Sequence, residues 1–450
     1  MPGANESFDG TLHYSEDSKV ILLELTRPFS VEGITSHMIE SARVPLICGV
    51  LFSGSQVVLL DCFRTNIHTT IGSHSTELIY ADYALCAFSE SDCHPPVFIG
   101  GVIDYGDIIE WAGLSRYCFD THVEQIGEKI TWEHMDTIEA DVADGLHLRF
   151  SPHQGKITFA NYDNNFTLHQ CVNASFFYDE PRRWERIMDD VNWLRRAIEL
   201  GKGCSVAVRK AQYLHSRHML SEKYGAMGYD RYKPAEVLLG TKQGEAHGSR
   251  SHRWEFLFGL TEAIEQGAIH KWFAERENLE PVVDLYTLAY TDRIPSAMAL
   301  FLNLMQALET YHARFICNRV SDYKERVDRL ADTSDSDFDV QEFLCDKGQR
   351  DSRSIYLKSR ISDLLYAEGK LPVKPKRMCL ADFSKKLVDT RNYYTHYSND
   401  KKEKAFTQDE LPVVNFELMA LIEYHLLITL GFCADIAAER VRRRLVDRVG

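Results

Sequence analysis

Apolar and β-branched runs alternate with turn signals through the first 180 residues. The runs cover 19–25, 44–52, 56–63, 77–88, 97–103, 129–132, 146–150, 156–160 and 166–177, and Gly54-Ser55, Asp144-Gly145 and Gln154-Gly155 punctuate them. An Asp-Gly pair between apolar runs signals a hairpin, because a tight turn needs residues that tolerate a positive φ. Short strands at this spacing predict a β-rich domain of sandwich or barrel-like form. The period then changes. Trp184, Ile187, Val191, Leu194 and Ile198 recur at steps of three and four, which predicts a helix over 180–199.

Between 205 and 255 the pattern fades into a polar stretch rich in Gly, His and Tyr, ending in GTKQGEAHGSRSH, which reads as a surface excursion or mobile connection. Helical periodicity follows in 254–266, 282–289 and most clearly 296–319, where Pro295 suits a helix start. The stretch 331–346 holds six acidic residues and no basic one, and reads as a solvated loop entering the next helix. Residues 352–366 form an amphipathic stretch that LPVKPKR breaks, and two further helices, 380–394 and 412–444, close the pattern. The resulting fold is an α+β multidomain chain. It has a β-rich domain over 1–205, a partly helical connection over 206–291 and an all-α bundle over 292–450.

Composition narrows the function. The 450 residues carry a net charge of −15, so the chain does not coat nucleic acid by bulk charge. One island departs from this: residues 370–404 hold ten basic and four acidic side chains, +6 against −21 for the rest. A local positive patch on an acidic protein points to a polyanionic ligand, although a solvated helix face would show the same charges. The eleven cysteines are scattered with no CxxC, which reads as reduced, mostly buried thiols. The N-terminal MPGANESFDG lacks the basic and apolar regions of a secretory signal, and the expected location is the cytoplasm. The most apolar stretch, 418–432, carries Glu423 and His425 and reads as a buried helix, so no membrane association is expected.

Inside the island lies Arg391-Asn392-Tyr393-Tyr394-Thr395-His396-Tyr397. Helical spacing puts Leu380, Phe383, Leu387, Arg391 and Tyr394 on one stripe, so Arg391 points along an otherwise apolar face. A guanidinium there implies a polar cleft or a partner chain. His396 lies five residues on, about 7.5 Å further and about 140° around an ideal helix. The two converge only if the helix ends or distorts nearby. About one Arg-x4-His is expected by chance in such a chain, and requiring Asn directly after the Arg lowers that to a few hundredths, by roughly the same arithmetic. His215 with His218, and His247 with His252, lack a carboxylate or Cys at ligand spacing, so no metal site is expected. No GxSxG, P-loop or GxGxxG occurs. Trp111, Trp132 and Trp184 are expected to fill the β-domain core.

Arg-Asn-x3-His near the start of the last long helix of a C-terminal bundle resembles the HEPN superfamily of ribonucleases. The whole chain resembles ApeA-like anti-phage proteins, through VPLICGVLFSGSQVVLLDCF and FIGGVIDYGDIIEWAGLS in the first half, and WEFLFGLTEAIEQGAIHKWF leading to FLNLMQALETYH in the second. The resemblance implies that Arg391, Asn392 and His396 form the active site, with Glu309 a candidate partner of Arg391 or of the cleft. It also implies metal-independent endoribonuclease activity in abortive infection, with no cofactor. The substrate would be RNA, including tRNA; the HEPN bundle would pair into a homodimer, and a phage-derived trigger would act through the β domain. A non-catalytic HEPN module binding RNA, nucleotide or a partner protein is the alternative.

Overall fold

The computed structural model describes residues 7–15, 18–27, 43–68, 76–88, 97–115, 117–120, 129–132, 135–142, 145–153, 157–159, 166–168, 170–220, 231–240, 256–290, 296–333, 339–375, 378–397 and 399–449. The chain divides into two compact units. The first comprises Met1–Ile109, Leu114–Arg195 and Ala207–Ala246, and the second Glu110–Gly113, Arg196–Val206 and His247–Gly450.

Eleven strands among the described residues of the first unit hydrogen-bond into one sheet, antiparallel at every pairing. The strand Thr76–Phe88 is its branch point. Along one edge it pairs with Gln56–His68, which in turn pairs with Arg43–Val50; along the other it meets Val20–Leu25 and then Arg231–Leu239. From Arg231–Leu239 the order continues through Lys210–Leu220, Val97–Asp104, Cys171–Arg183, Leu146–His153 and Ile138–Asp141. The alternation of side chains decides the faces. In Leu146–His153, Leu146, Leu148 and Phe150 are buried, while His147 lies exposed between Asp141 and Asp179. Each fully buried side chain of this kind contributes about 1.5–3 kcal/mol. The Gly-Gly of the FIGG run has a packing reason. A Cβ on Gly100 would lie 2.2 Å from the Phe176 carbonyl oxygen, so the neighbouring strand approaches closely only because glycine stands there.

The stretch 205–255, expected as a surface excursion, contains two strands of this sheet instead. Lys210–Leu220 sits between Val97–Asp104 and Arg231–Leu239, with Ala211, Tyr213 and His215 buried. The buried residues include Tyr213 and His215, alternating with Lys210, Gln212 and Leu214, so the alternation carries little apolar contrast until neighbouring strands supply the burial. His215 packs edge-on against Phe98; His247 and His252 lie outside the described residues. Trp184 is buried, with its ring tilted on Tyr83. Trp111 is buried too, but it groups with the helical unit rather than the β core, next to Gly201 and Gly259. The Trp132 side chain lies outside the described residues.

The second unit is helical. Its main helices are Leu260–Glu265, Ala268–Ala274, Arg276–Thr287, Ala297–Tyr311, Val320–Asp332, Leu357–Tyr366, Leu380–His396, Leu411–Leu430 and Ala434–Val449. A β-rich region followed by an α-helical one is the fold class the pattern predicts. Leu411–Leu430 is apolar on all sides because it is the central helix, packed by Ala297–Tyr311 and Ala434–Val449. It is long and apolar enough to cross a membrane, yet 72% of its most apolar window is buried within the protein. Its Glu423 is held by Arg444 at 3.1 Å, Arg448 at 2.8 Å and the Tyr286 hydroxyl at 2.6 Å.

Two expectations are corrected here. The single closing helix over 412–444 is two, divided at Gly431, whose φ of 96° ends the first in a left-handed cap. The acidic 331–346 stretch is only partly a solvated loop. Val340–Leu344 is helical, and Val340, Phe343 and Leu344 are buried in a cluster with Tyr323 and Val327. Among the described residues its Asp339 and Asp346 are helix caps, accepting from the Glu342 and Gln349 N–H groups.

Candidate active site

The helix Leu380–His396 begins where Cys379 Sγ accepts from the Asp382 N–H at 3.5 Å, and it buries Phe383, Leu387 and Tyr394. Thr390 ties its buried side to the following segment: its hydroxyl donates to Lys386 O at 2.6 Å and accepts from Phe406 N–H at 2.8 Å. Tyr394 adds a hydrogen bond to Phe406 O at 3.2 Å. Lys401 reaches back to Asp389 at 2.6 Å, and Lys386 lies over the Phe406 ring while facing Glu410. Residues 399–410 thus cover one side of the helix.

Arg391 is half-buried, at the edge of the apolar stripe as its position implies. Its guanidinium makes no ion pair among the described residues; Nη1 donates to Asn392 Oδ1 at 3.4 Å. His396 is exposed and has no hydrogen bond or ion pair among the described residues. The helix does end at the motif. His396 is its last residue, and Tyr397 turns into the left-handed region at φ 51°. Arg391 and His396 therefore leave the helix about 140° apart, and no bond joins them within one chain. The motif occupies the end of its own helix; the long helix that follows starts at Leu411.

The Tyr397 hydroxyl donates to Met298 Sδ at 3.5 Å, placing the end of the motif beside the N-terminal turn of Ala297–Tyr311. That turn carries the positive end of a helix dipole. Of the basic island, Lys370, Lys386 and Lys401 are held by Asp435, Glu410 and Asp389. Lys374, Lys385, Lys402 and Lys404 are exposed, with no ion pair among the described residues, and Lys376 and Arg377 lie outside them. Glu309 makes no ion pair with Arg391. It lies on a turn of Ala297–Tyr311 where its charge acts on Arg360.

Sequence reasoning missed a second group of polar residues. A π-helical turn, His312–Ile316, extends Ala297–Tyr311, and there His312 is buried against the helix Leu357–Tyr366. Arg360 donates to His312 Nδ1 at 3.1 Å, so the ring proton sits on Nε2 and is donated to Asp363 at 3.1 Å. Arg326 embraces the same carboxylate at 3.0 to 3.3 Å and also reaches Glu368. Burial works to raise the Asp363 pKa, but the His312 hydrogen bond and the Arg326 charge together hold it below the ordinary value. For His312 burial prevails and pushes the pKa down. Neighbouring His425, donating to Leu364 O at 3.0 Å, is pushed by burial to about 4. Only the fold joins His312 to Asp363, 51 positions away; the one local signal is a His ending an amphipathic helix.

Two family models match. ApeA N-terminal domain 1 matches residues 1–217, and Apea-like HEPN matches residues 302–436, a span that contains Arg391, Asn392, His396 and the His312 cluster. No curated protein and no solved structure matches the chain. With most of the antiparallel sheet inside the first match and the motif helix inside the second, the chain belongs to the ApeA-like proteins and carries an anti-phage HEPN module.

Proposed function

We propose that the protein is a metal-independent endoribonuclease of the cytoplasm whose site forms when two copies pair through their HEPN bundles. The supporting observation is that Arg391, half-buried, and His396, exposed, make no ion pair among the described residues and are joined by no hydrogen bond within one chain. A second copy would bring the His396 of one motif to the Arg391 of the other, and the two-fold would double each group. RNA carries its own nucleophile, the 2′-OH. One imidazole removes that proton as the 2′-oxygen attacks phosphorus. The partner's imidazolium gives a proton to the departing 5′-oxygen, leaving a 2′,3′-cyclic phosphate and a 5′-hydroxyl. The guanidinium, charged at every working pH, stabilises the extra negative charge on the phosphorane. Asn392, bonded to Arg391, fixes the direction of that guanidinium. The exposed Lys385, Lys402 and Lys404 draw the polyanion to this end of the unit. The β-rich domain would sense a phage-derived trigger and release the nuclease.

The test is total RNA, including tRNA, incubated with purified protein in excess EDTA. Cleavage that survives chelation and falls at least about 100-fold in Arg391→Ala and His396→Ala is expected. Cleavage that persists in both variants overturns the assignment. RNA bound but never cut, under any activating condition, identifies a non-catalytic binding module.

A further inference from the structure

Immediately after His396 the chain does something costly. Tyr397 closes the helix at φ 51° and ψ 35°, a conformation that glycine or asparagine adopts with less strain than an aromatic residue. Its side chain is not bought by burial either, since 60% of the residue is exposed. A position that sacrifices backbone comfort for a ring in water needs a reason in what the ring does. The ring is also held. Its edge-on neighbours are Tyr393, with centroids 5.6 Å apart, and Tyr394, at 6.4 Å, and Tyr393 and Tyr394 lie 5.0 Å from each other. The hydroxyl is fixed on Met298. Tyr394 is buried and anchored to Phe406 O, so the cluster stands on a rigid base.

A fixed, water-exposed aromatic ring directly after His396 offers what an unstacked nucleobase needs. Every base has a π-face, and stacking on such a ring supplies affinity without reading sequence. A base in a duplex already stacks on its neighbours and offers no free face. We propose that Tyr397, supported by Tyr393 and Tyr394, is the platform for the base flanking the scissile phosphate, which makes single-stranded RNA the substrate class. This rests on the ribonuclease reading above, because it places the base relative to Arg391 and His396. Tyr397 is a specificity-determining residue that leaves the proton transfers to His396.

The experiment separates the two readings. Full-length protein carrying His396→Ala is titrated by fluorescence anisotropy with a labelled oligouridylate, the same backbone with abasic riboses, and a short RNA duplex. Adding Tyr397→Asn, a residue at home in the left-handed cap, is expected to weaken oligouridylate binding roughly tenfold. Binding of the abasic strand and of the duplex stays as in the parent, and Tyr397→Phe, which keeps the ring, restores the parent affinity. Oligouridylate affinity unchanged by Tyr397→Asn, or an equal loss on the abasic strand, overturns the platform while the ribonuclease reading stands. A His396→Ala parent that binds none of the three RNAs, together with wild-type protein that cuts none, overturns both.

Discussion

His312 and His396 lie in the same helical unit, each with arginine nearby, and their surroundings are opposite. His312 and Asp363 have no exposed side-chain surface; both imidazole nitrogens are engaged, and Arg360 and Arg326 close the group. His396 stands in water at the end of a helix, and Arg391 lacks a carboxylate partner among the described residues. A histidine, an aspartate and arginines at hydrogen-bond distance are the usual signature of a catalytic set, yet here that set is sealed. With Arg360 donating to Nδ1, a second ring proton has no room, so His312 cannot act as a base toward anything outside. Arg391 and His396 make no ion pair among the described residues, and His396 is open to solvent. Polar residues that have satisfied one another hold the bundle together; polar residues left unsatisfied are available for chemistry.

Substitutions can break this comparison. The largest separation is expected between His396→Ala and Asp363→Ala. The first removes RNA cleavage by at least about 100-fold while stability stays within about 0.5 kcal/mol, as at other exposed positions. The second strips His312 and Arg326 of a buried acceptor and lowers stability by about 3–5 kcal/mol, read from urea unfolding. Equal loss of stability in the two variants would remove the distinction.

Acid sharpens it next. His425 and His312 both titrate lower in the folded state than in the unfolded one, because burial disfavours the imidazolium. The unfolded chain takes up protons near pH 6.5, whereas folded His425 waits until about 4, so stability falls as pH drops through that window. From His425 alone the loss between about pH 7 and pH 5 is about 2 kcal/mol, above the range where carboxylates titrate. His425→Asn should flatten the dependence of the urea midpoint over that interval, and His396→Ala should leave it as in wild type. The smallest effect concerns the exposed lysines. Lys385→Ala, Lys402→Ala or Lys404→Ala should each reduce the salt dependence of single-stranded RNA binding by about 0.7 in slope if that side chain contacts one phosphate.

Much of this architecture was legible along the chain. Apolar and β-branched runs between turn signals located most strands of the sheet, including Thr76–Phe88 and Val97–Asp104, and period-three-and-four spacing located Ala297–Tyr311 and Leu380–His396. The failures share a cause. The first part of Lys210–Leu220 is buried by strands that include the distant Val97–Asp104, and Val340–Leu344 is a short helix hidden in an acidic stretch and packed on Tyr323 and Val327. Local pattern cannot register a partner strand that arrives from elsewhere in the chain. Leu411–Leu430 was legible for the converse reason, since a helix apolar on every side has only one favourable place to be.

By itself the order of residues determined the succession of sheet and helices and the acidic balance with its basic island, whereas the reading of Arg391, Asn392 and His396 as a site came from the family resemblance. The succession and the balance depend on covalent neighbours and on periodicity, which are properties of the chain alone. Only the tertiary structure decided which histidine is sealed and which is open, that the charge of Glu309 acts on Arg360, and that the helix runs on through His396. Those outcomes turn on where a helix stops and what packs across from it, and both are set by the free energy of the whole packed unit, which no short window of sequence contains.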